Sequence, residues 1–141
     1  MLTRRKFTSF ASCAICAAVV PAAKAAAQAT PSGQLTAGLS RKVLSQLDGP
    51  GPSYVTIMME VTVEPGAVVA RHTHPGIESG YMLEGSIELP IQGMPTRVYR
   101  AGDSFQIPAE TVHGGGKASN VRTRVLSTYV LEKGKPIASP A

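Results

Sequence analysis

Residues 66–85 read GAVVARHTHPGIESGYMLEG, and this stretch decides the fold and holds most of the candidate chemistry. It contains His72 and His74 two positions apart, followed by Glu78. Because side chains alternate between the two faces of an extended strand, His72 and His74 point the same way. Pro75-Gly76 favours a turn that returns the chain on a neighbouring strand. The stretch therefore predicts two imidazoles and one carboxylate facing a common point.

His113 is the only other histidine, and it lies in a second block punctuated by glycine and proline. A neutral imidazole binds a divalent metal through one ring nitrogen, and a carboxylate adds a harder oxygen. The histidines and Glu78 would form a mixed site for one divalent transition metal: Mn, Fe, Ni, Co or Zn. The alternative is that His72 and His74 are ordinary surface residues and His113 is a turn residue. The clustering of every histidine in two short motifs favours the metal site.

Short strands separated by turns account for the rest of the pattern. Residues 54–63 (YVTIMMEVTV) alternate strictly, and one face carries Val55, Ile57, Met59, Val61 and Val63. Further strands are expected at residues 67–74, 80–83, 86–91, 96–100, 104–107 and 121–131, with a short strand or helical turn at 41–47. No segment sustains a helical period, so the sequence predicts an all-β antiparallel sandwich or barrel.

The first 29 residues have the features of a removable export signal. A basic start at residues 4–6 precedes an apolar run at 10–20 and an Ala-x-Ala site at 27–29. The apolar run is shorter than the roughly 20 residues that span a bilayer. The paired arginines and Lys24 resemble a twin-arginine signal, and an ordinary secretory signal is the alternative. We therefore expect a periplasmic protein with no stable membrane anchor after cleavage.

Cleavage of that signal would change the composition of the chain. Four of the 14 basic residues would leave, so 10 would remain against 9 acidic ones, a net charge of about +1. No basic patch would remain, so no nucleic-acid partner is expected. Cys13 and Cys16 would leave as well, and inside the apolar run their C-x-x-C spacing is that of small apolar residues. We divide the chain into a signal (1–29), a flexible leader with a first short strand (30–52), a barrel (53–131) and a polar tail (132–141).

Two motifs resemble those of the cupin superfamily. The first runs Gly66, five residues, His72-Thr73-His74, three residues, Glu78, six residues and Gly85, and it matches at every defining position. The second runs Gly102, five residues, Pro108 and then His113. The resemblance covers roughly residues 54–131. The short interval between the motifs is similar to that of compact bacterial single-domain cupins.

The resemblance implies a small double-stranded β-helix, or jelly-roll barrel, with the metal held inside by His72, His74, Glu78 and His113. Cupins that keep the glutamate resemble dioxygenases, among them the quercetin-dioxygenase-like group, and also oxalate-degrading enzymes and related lyases. We therefore expect a dioxygenase-like enzyme for a small organic molecule, with Glu78 as ligand and candidate catalytic base. The alternatives are a non-oxidative lyase, decarboxylase or isomerase, and a non-catalytic periplasmic module that binds a small molecule or metal. A homodimer is expected from the family.

The chain departs from the second motif at two positions. Glu110 stands where the motif usually has glycine, and Lys117 stands where it usually has asparagine. Glutamate adopts a positive φ only at a cost of about 1 kcal/mol, so we expect the turn before His113 to be reshaped. The glycines at residues 114–116 would supply the lost freedom and leave the wall beside the metal without side chains.

Other side chains in the strands have expected roles that are mainly structural. Barrel packing is expected for Tyr81, Met82, Phe105 and Tyr129, with Met82 pointing inward by alternation from Glu78. Arg71 should point to solvent. Arg122 and Arg124 share a strand face, and edge charges are a better explanation for them than binding of an anionic substrate.

Overall fold

The computed structural model describes residues 36–141, and this part of the chain forms strands and no helix. In chain order the strands are β1 (Leu39–Asp48), β2 (Tyr54–Val63), β3 (His72–Thr73), β4 (Gly76–Glu84), β5 (Ser86–Leu89), β6 (Arg97–Arg100), β7 (Ser104–Ile107), β8 (Thr123–Glu132) and β9 (Ser139–Pro140). The all-β prediction is confirmed. A search of the described residues for a helix long and apolar enough to cross a membrane finds none. The export signal predicted at residues 1–29 lies outside the described residues.

One wall of the molecule is an antiparallel sheet of five strands in the order β1-β2-β8-β4-β7. β8 lies at its centre, where Val55 of β2 pairs with Leu131 and Gly76 of β4 pairs with the same residue from the other side. The alternation predicted for β2 is confirmed, because Val55, Ile57, Met59 and Val63 are buried. The apolar face of β2 therefore points into the molecule.

The opposite wall consists of the β5–β6 hairpin and the short β3–β9 pair. Met82 and Ile107 of the five-stranded sheet share a buried cluster with Ile87, Leu89 and Tyr99 of the hairpin. Met82 is fully buried, as its predicted inward orientation requires. Removal of this apolar surface from water holds the two walls together as a barrel.

The first strand is longer than the sequence predicts. β1 covers Leu39–Asp48 within the segment predicted as a leader with a short strand, and it pairs with β2 along its whole length. The register shifts between Val43 and Ser45. Most β1 side chains on both faces are exposed, so the strand lacks the apolar alternation by which β2 was predicted.

The last residues are not the plain tail that the sequence predicts. Ser139 and Pro140 of β9 pair with Thr73 and His72 of β3. The Ala141 amide also donates to the Arg71 carbonyl at 3.2 Å. In this region the extended segment predicted at residues 67–74 is reduced to the two residues of β3. The chain end therefore covers the edge of the strand that carries the first histidine.

Candidate metal centre

The structure brings His72, His74 and His113 together although they lie in two separate motifs. His72 and His113 form an antiparallel bridge, in which each amide donates to the other's carbonyl at 2.9 and 3.0 Å. One ring nitrogen from each of the three imidazoles lies within 4.8 Å of the others. His74 and His113 are buried, and His72 is half-buried. The three histidines therefore form a group that can hold a metal ion.

A backbone carbonyl orients each ring. Nδ1 of His72 donates to the Ala70 carbonyl at 2.7 Å, and Nδ1 of His113 donates to the Thr111 carbonyl at 2.8 Å. Nδ1 of His74 donates to the Ile137 carbonyl in the chain end at 2.5 Å. A carbonyl oxygen can only accept, so the proton of each neutral ring lies on Nδ1 and the lone pair on Nε2.

Two Nε2 atoms of the histidine group have no hydrogen-bond donor to accept from among the described residues. The Nε2 atoms of His74 and His113 are buried without a hydrogen-bond partner within residues 36–141. Buried polar atoms normally find a partner, because leaving one unpaired costs about 1–3 kcal/mol. A divalent cation between the Nε2 lone pairs would satisfy both atoms. The residues present therefore fit the metal that the donor set predicts.

Glu78 stands beside the histidine group with its two oxygens in different surroundings. Oε1 accepts hydrogen bonds from Ser127 Oγ at 2.8 Å and from Tyr129 OH at 3.0 Å. Oε2 lies 3.1 Å from His74 Nε2 and 3.3 Å from His113 Nε2. With both rings protonated on Nδ1, these are contacts between acceptors. They become favourable with a cation among them, or with imidazolium rings in its absence.

Burial and neighbouring charges shift the titration of the centre. Burial raises the pKa of Glu78, but in the metal-free centre hydrogen bonds and charge from His113 and His74, which require the imidazolium form of these rings, outweigh this and hold the pKa well below its usual range. Burial, together with the neighbouring His113, lowers the pKa of His72 to about 4. Burial and then Glu78 raise the pKa of Tyr129 well above its usual value, and Arg41 opposes this. At neutral pH, Glu78 is therefore ionised and Tyr129 keeps the proton that it donates.

The sequence pattern did not reveal three parts of this arrangement. Tyr129 was expected only to pack the barrel, but its hydroxyl also contacts Glu78. The sequence pattern could have identified Ser127 as a site residue, because it is a polar residue on the buried face of β8 between Val125 and Tyr129. The contact from Ile137 is made by its backbone oxygen, so the residue type gives no sign of it.

The structure also tests the roles predicted for Phe105, Tyr81 and Arg124. Phe105 packs against the core and contacts Tyr99 edge-on, but Tyr81 is 47% exposed, so the packing role predicted for Tyr81 is wrong. Arg124 is paired with Glu60 through two hydrogen bonds and lies near Glu84. A structural role is therefore supported, but the predicted edge position is wrong, because β8 lies at the centre of the five-stranded sheet. Arg122 precedes β8 and is exposed, so it does not share that strand with Arg124.

The turn before His113 keeps its shape in spite of Glu110. Glu110 has a φ of 57°, the conformation that a glycine would adopt, so the reshaped turn predicted from the sequence is wrong. Its amide donates to the His74 carbonyl at 2.8 Å, which holds the turn in place. The glycines that follow do not open a wall of the site. A Cβ on Gly116 would collide with the Glu88 carbonyl, so packed backbone fills that space.

Two pockets adjoin the histidine group. The inner pocket, about 60 Å³, lies in the barrel beside His72, Glu78 and His113, and its other walls are mainly aliphatic. The outer pocket, about 440 Å³, lies between β1, the segment before His72 and the chain end. Arg41, Val69 and His72 line both pockets. The inner pocket has room for a few water-sized molecules, whereas the outer pocket reaches the roughly 300–1,000 Å³ of small-molecule sites.

Solved structures share this architecture. A cupin-like protein of Thermotoga maritima is 26% identical, with a TM-score of 0.57 over 73% of this chain and 75% of that protein. The polyketide cyclase RemF of Streptomyces resistomycificus is 25% identical, with a TM-score of 0.55 over 74% of this chain and 71% of the cyclase. The predicted jelly-roll barrel is confirmed.

Sequence comparison agrees with the structural likeness. The germin-like protein subfamily T member 3 of Arabidopsis thaliana is 29% identical over 109 residues, 73% of this chain and 48% of that protein. The chain thus spans about half the length of this curated relative. The family model described as Cupin domain matches residues 59–129, half of the 141 residues, and includes all three histidines and Glu78. The chain belongs to the cupin superfamily.

Proposed function

We propose that this chain is a metal-dependent oxidoreductase of the dioxygenase-like type that acts on a small organic molecule. The observation that carries the proposal is the convergence of one ring nitrogen from each of three imidazoles within 4.8 Å, while Nδ1 of each ring donates to a backbone carbonyl. A bound transition metal would supply Lewis acidity and, if redox-active, the capacity to activate oxygen. The aliphatic inner pocket suits a molecule as small as O₂, and the outer pocket suits an organic molecule.

In this proposal His72, His74, His113 and Glu78 hold the metal. Ser127 and Tyr129 donate to Oε1 of Glu78, which leaves Oε2 on the side of the imidazoles. A carboxylate with so low a pKa is a weak base, so Glu78 acts first as a ligand. A catalytic role as base would require that its contacts with His74 and His113 first be broken.

Oxygen uptake tests the oxidative assignment. Protein loaded in turn with Fe, Mn, Ni, Co or Zn would be incubated with a panel of small organic molecules in an oxygen electrode. We expect uptake that requires both metal and organic molecule. Glu78→Gln removes a charged ligand, so it should lower metal affinity by at least the roughly 10–100-fold that loss of a ligand-orienting group costs, and oxygen uptake should fall with it. Glu88→Gln, at an exposed position of β5, is the matched control and should retain full uptake.

A non-oxidative enzyme is the second candidate. Tyr129 is a protonated hydroxyl in direct contact with Glu78, which is an arrangement suited to moving a proton rather than oxygen. The likeness to a polyketide cyclase also supports this alternative. Metal-dependent turnover that proceeds equally well without oxygen would favour a lyase, decarboxylase, isomerase or cyclase. Binding without turnover of any kind would favour a non-catalytic module.

Export to the periplasm and homodimerisation are further parts of the proposal. The sequence of residues 1–29 supports export, and Arg4→Lys with Arg5→Lys should keep the protein in the cytoplasm if the signal is of the twin-arginine type. Cell fractionation measures this. Exposed apolar side chains on β1, such as Leu44 and Leu47, are consistent with a homodimer. Light scattering of the protein lacking residues 1–29 tests the mass.

A further inference from the structure

The outer pocket is positively charged. It is lined by Arg41 of β1, by Arg71 and His72, and by Ser139 and Pro140 of the chain end. Among the described residues that line it, none is acidic. The pocket therefore combines space for a small molecule with two guanidinium groups and no acidic side chain among the described residues of its lining. Such a surface attracts anions and repels cations.

Arg41 is the guanidinium closest to the chemistry. It is half-buried and is one of the few residues that line both the outer and the inner pocket. Within residues 36–141 it forms no ion pair with an acidic side chain, whereas Arg97 and Arg124 do. A partly desolvated guanidinium beside aliphatic walls is stabilised when an anion supplies the missing acceptors.

We propose that the substrate is a small organic carboxylate, held by Arg41 at one end so that its other end faces the histidine group. The planar guanidinium matches a carboxylate through two parallel hydrogen bonds. Arg71 is exposed at the pocket rim, so it attracts the anion without being buried with it. One half-buried cation balances a single negative charge, which favours a monocarboxylate over a multiply charged phosphate. This inference rests on the proposed function, since it names the substrate class of the same site.

Calorimetric titration of the metal-loaded protein tests the proposal with carboxylates and their neutral amides. The probes are acetate, hexanoate, benzoate and salicylate, with hexanamide and benzamide as the matched neutral molecules and inorganic phosphate as the competing anion. We expect at least one carboxylate to bind, roughly tenfold or more tightly than its amide, because a charge-assisted contact is lost in the amide.

Arg41→Gln should weaken carboxylate binding by roughly tenfold or more and leave amide binding unchanged. Arg41→Lys keeps the charge but loses the paired geometry, so its effect should be intermediate. Lys42→Gln removes the same charge from the adjacent exposed position and is the control, with unchanged binding expected. Metal content, measured on every variant, should equal that of the wild type, which shows that the histidine group is intact.

Equal binding of carboxylates and amides, or Arg41→Gln binding as the wild type does, would overturn the assignment. Preferential binding of inorganic phosphate would overturn the carboxylate class. If metal-dependent turnover is found only with neutral molecules, this inference fails and the proposed enzyme stands. If carboxylates bind through Arg41 but no turnover occurs with any metal, the anion site stands and the proposed enzyme fails.

Discussion

At the scale of single residues, each histidine of the centre is held by a backbone carbonyl and not by an acidic side chain. The carbonyls belong to Ala70, Thr111 and Ile137. A neutral acceptor fixes which nitrogen carries the proton without drawing the ring toward the imidazolium form. The only carboxylate in the centre, that of Glu78, is therefore free to face the Nε2 atoms.

The low pKa of His72 predicts a pH dependence of the metal-free protein. Its pKa of about 4 lies below the roughly 6.5 of an unfolded histidine, so the unfolded chain binds more protons between these values. The contribution of His72 to the free energy of unfolding is therefore fully present above about pH 6.5 and is lost as the pH falls through 4. We expect a loss of about 1–3 kcal/mol, measured by urea unfolding in chelator. His72→Gln should lack this component, and the same pH slope in both proteins would contradict the assignment.

Tyr129→Phe removes one hydrogen-bond donor to Glu78 and keeps the aromatic ring in place. We expect the free energy of unfolding to fall by about 1.5–3 kcal/mol, the range for a hydrogen bond to a charged group. Metal affinity should fall by about 10–100-fold, as for other groups that orient a ligand. Tyr99→Phe is the control, because Tyr99 is also buried in the barrel, whereas the hydroxyls that donate to Glu78 are those of Ser127 and Tyr129. Equal losses in the two variants would show that the Glu78 contact is immaterial.

At the scale of elements, the chain end contributes both to the barrel and to the histidine group. β9 pairs with β3, and Ile137, two residues before β9, packs against the core and accepts a hydrogen bond from the His74 ring through its carbonyl. The chain end thus covers the edge of β3, forms one wall of the outer pocket and supplies the carbonyl that accepts from His74. Its removal should affect the site more than the barrel.

A truncation tests this role of the chain end. A protein ending at Lys135 should keep its β-sheet circular dichroism but bind metal about 10–100-fold more weakly, because His74 loses the acceptor that orients it. Removal of Ala141 alone, which deletes only the contact with the Arg71 carbonyl, should leave metal affinity close to that of the full chain. Competition with a chromogenic chelator measures both affinities. Undiminished affinity after truncation at Lys135 would contradict the role.

The turn at Glu110 offers an independent test of backbone strain. Asparagine tolerates a positive φ better than glutamate, so Glu110→Asn should raise the free energy of unfolding by about 0.5–1 kcal/mol. Glu110→Ala removes the carboxylate but keeps a Cβ, so it should bring no such gain. Urea unfolding separates the two variants. A gain in Glu110→Ala equal to that in Glu110→Asn would assign the effect to charge and not to the backbone.

The elements best predicted from the sequence are those with a strong alternating pattern. β2 has an apolar residue at every second position and one buried face, so its extent and orientation follow from periodicity. β1 was underestimated because most of its side chains are exposed on both faces. The turn at Glu110 was mispredicted because the hydrogen bond from its amide to the His74 carbonyl outweighs the preference of glutamate for a negative φ.

At the scale of the whole molecule, the barrel is built from pairings between distant parts of the chain. β8 lies between β2 and β4, and it brings Ser127 and Tyr129 to Glu78. The motif spacing was sufficient to predict that the histidines meet, because three of three fell in two short blocks. It could not predict the contacts from β8 and the chain end, since these depend on register and on a backbone oxygen.

Bound metal should stabilise the whole fold, because only the folded chain assembles the histidine group. A metal present at 100 times its dissociation constant adds about 2.7 kcal/mol to the free energy of unfolding. We expect about one metal ion per chain by elemental analysis and a lower melting temperature in chelator. His72→Ala should lose the metal and become insensitive to chelator, whereas Gln106→Ala, at an exposed position of β7, should behave as the wild type does. A chelator effect of the same size in His72→Ala would contradict the assignment.

The contact between His74 and Ile137 also has a consequence for biosynthesis. A nascent chain has all three imidazoles once residue 113 has left the ribosome, but it lacks the oxygen that orients one of them until 24 further residues are made. Prematurely terminated products would therefore retain the ion poorly, even with every ligand in place. Ion retention in a cell extract would then report whether translation had passed residue 137.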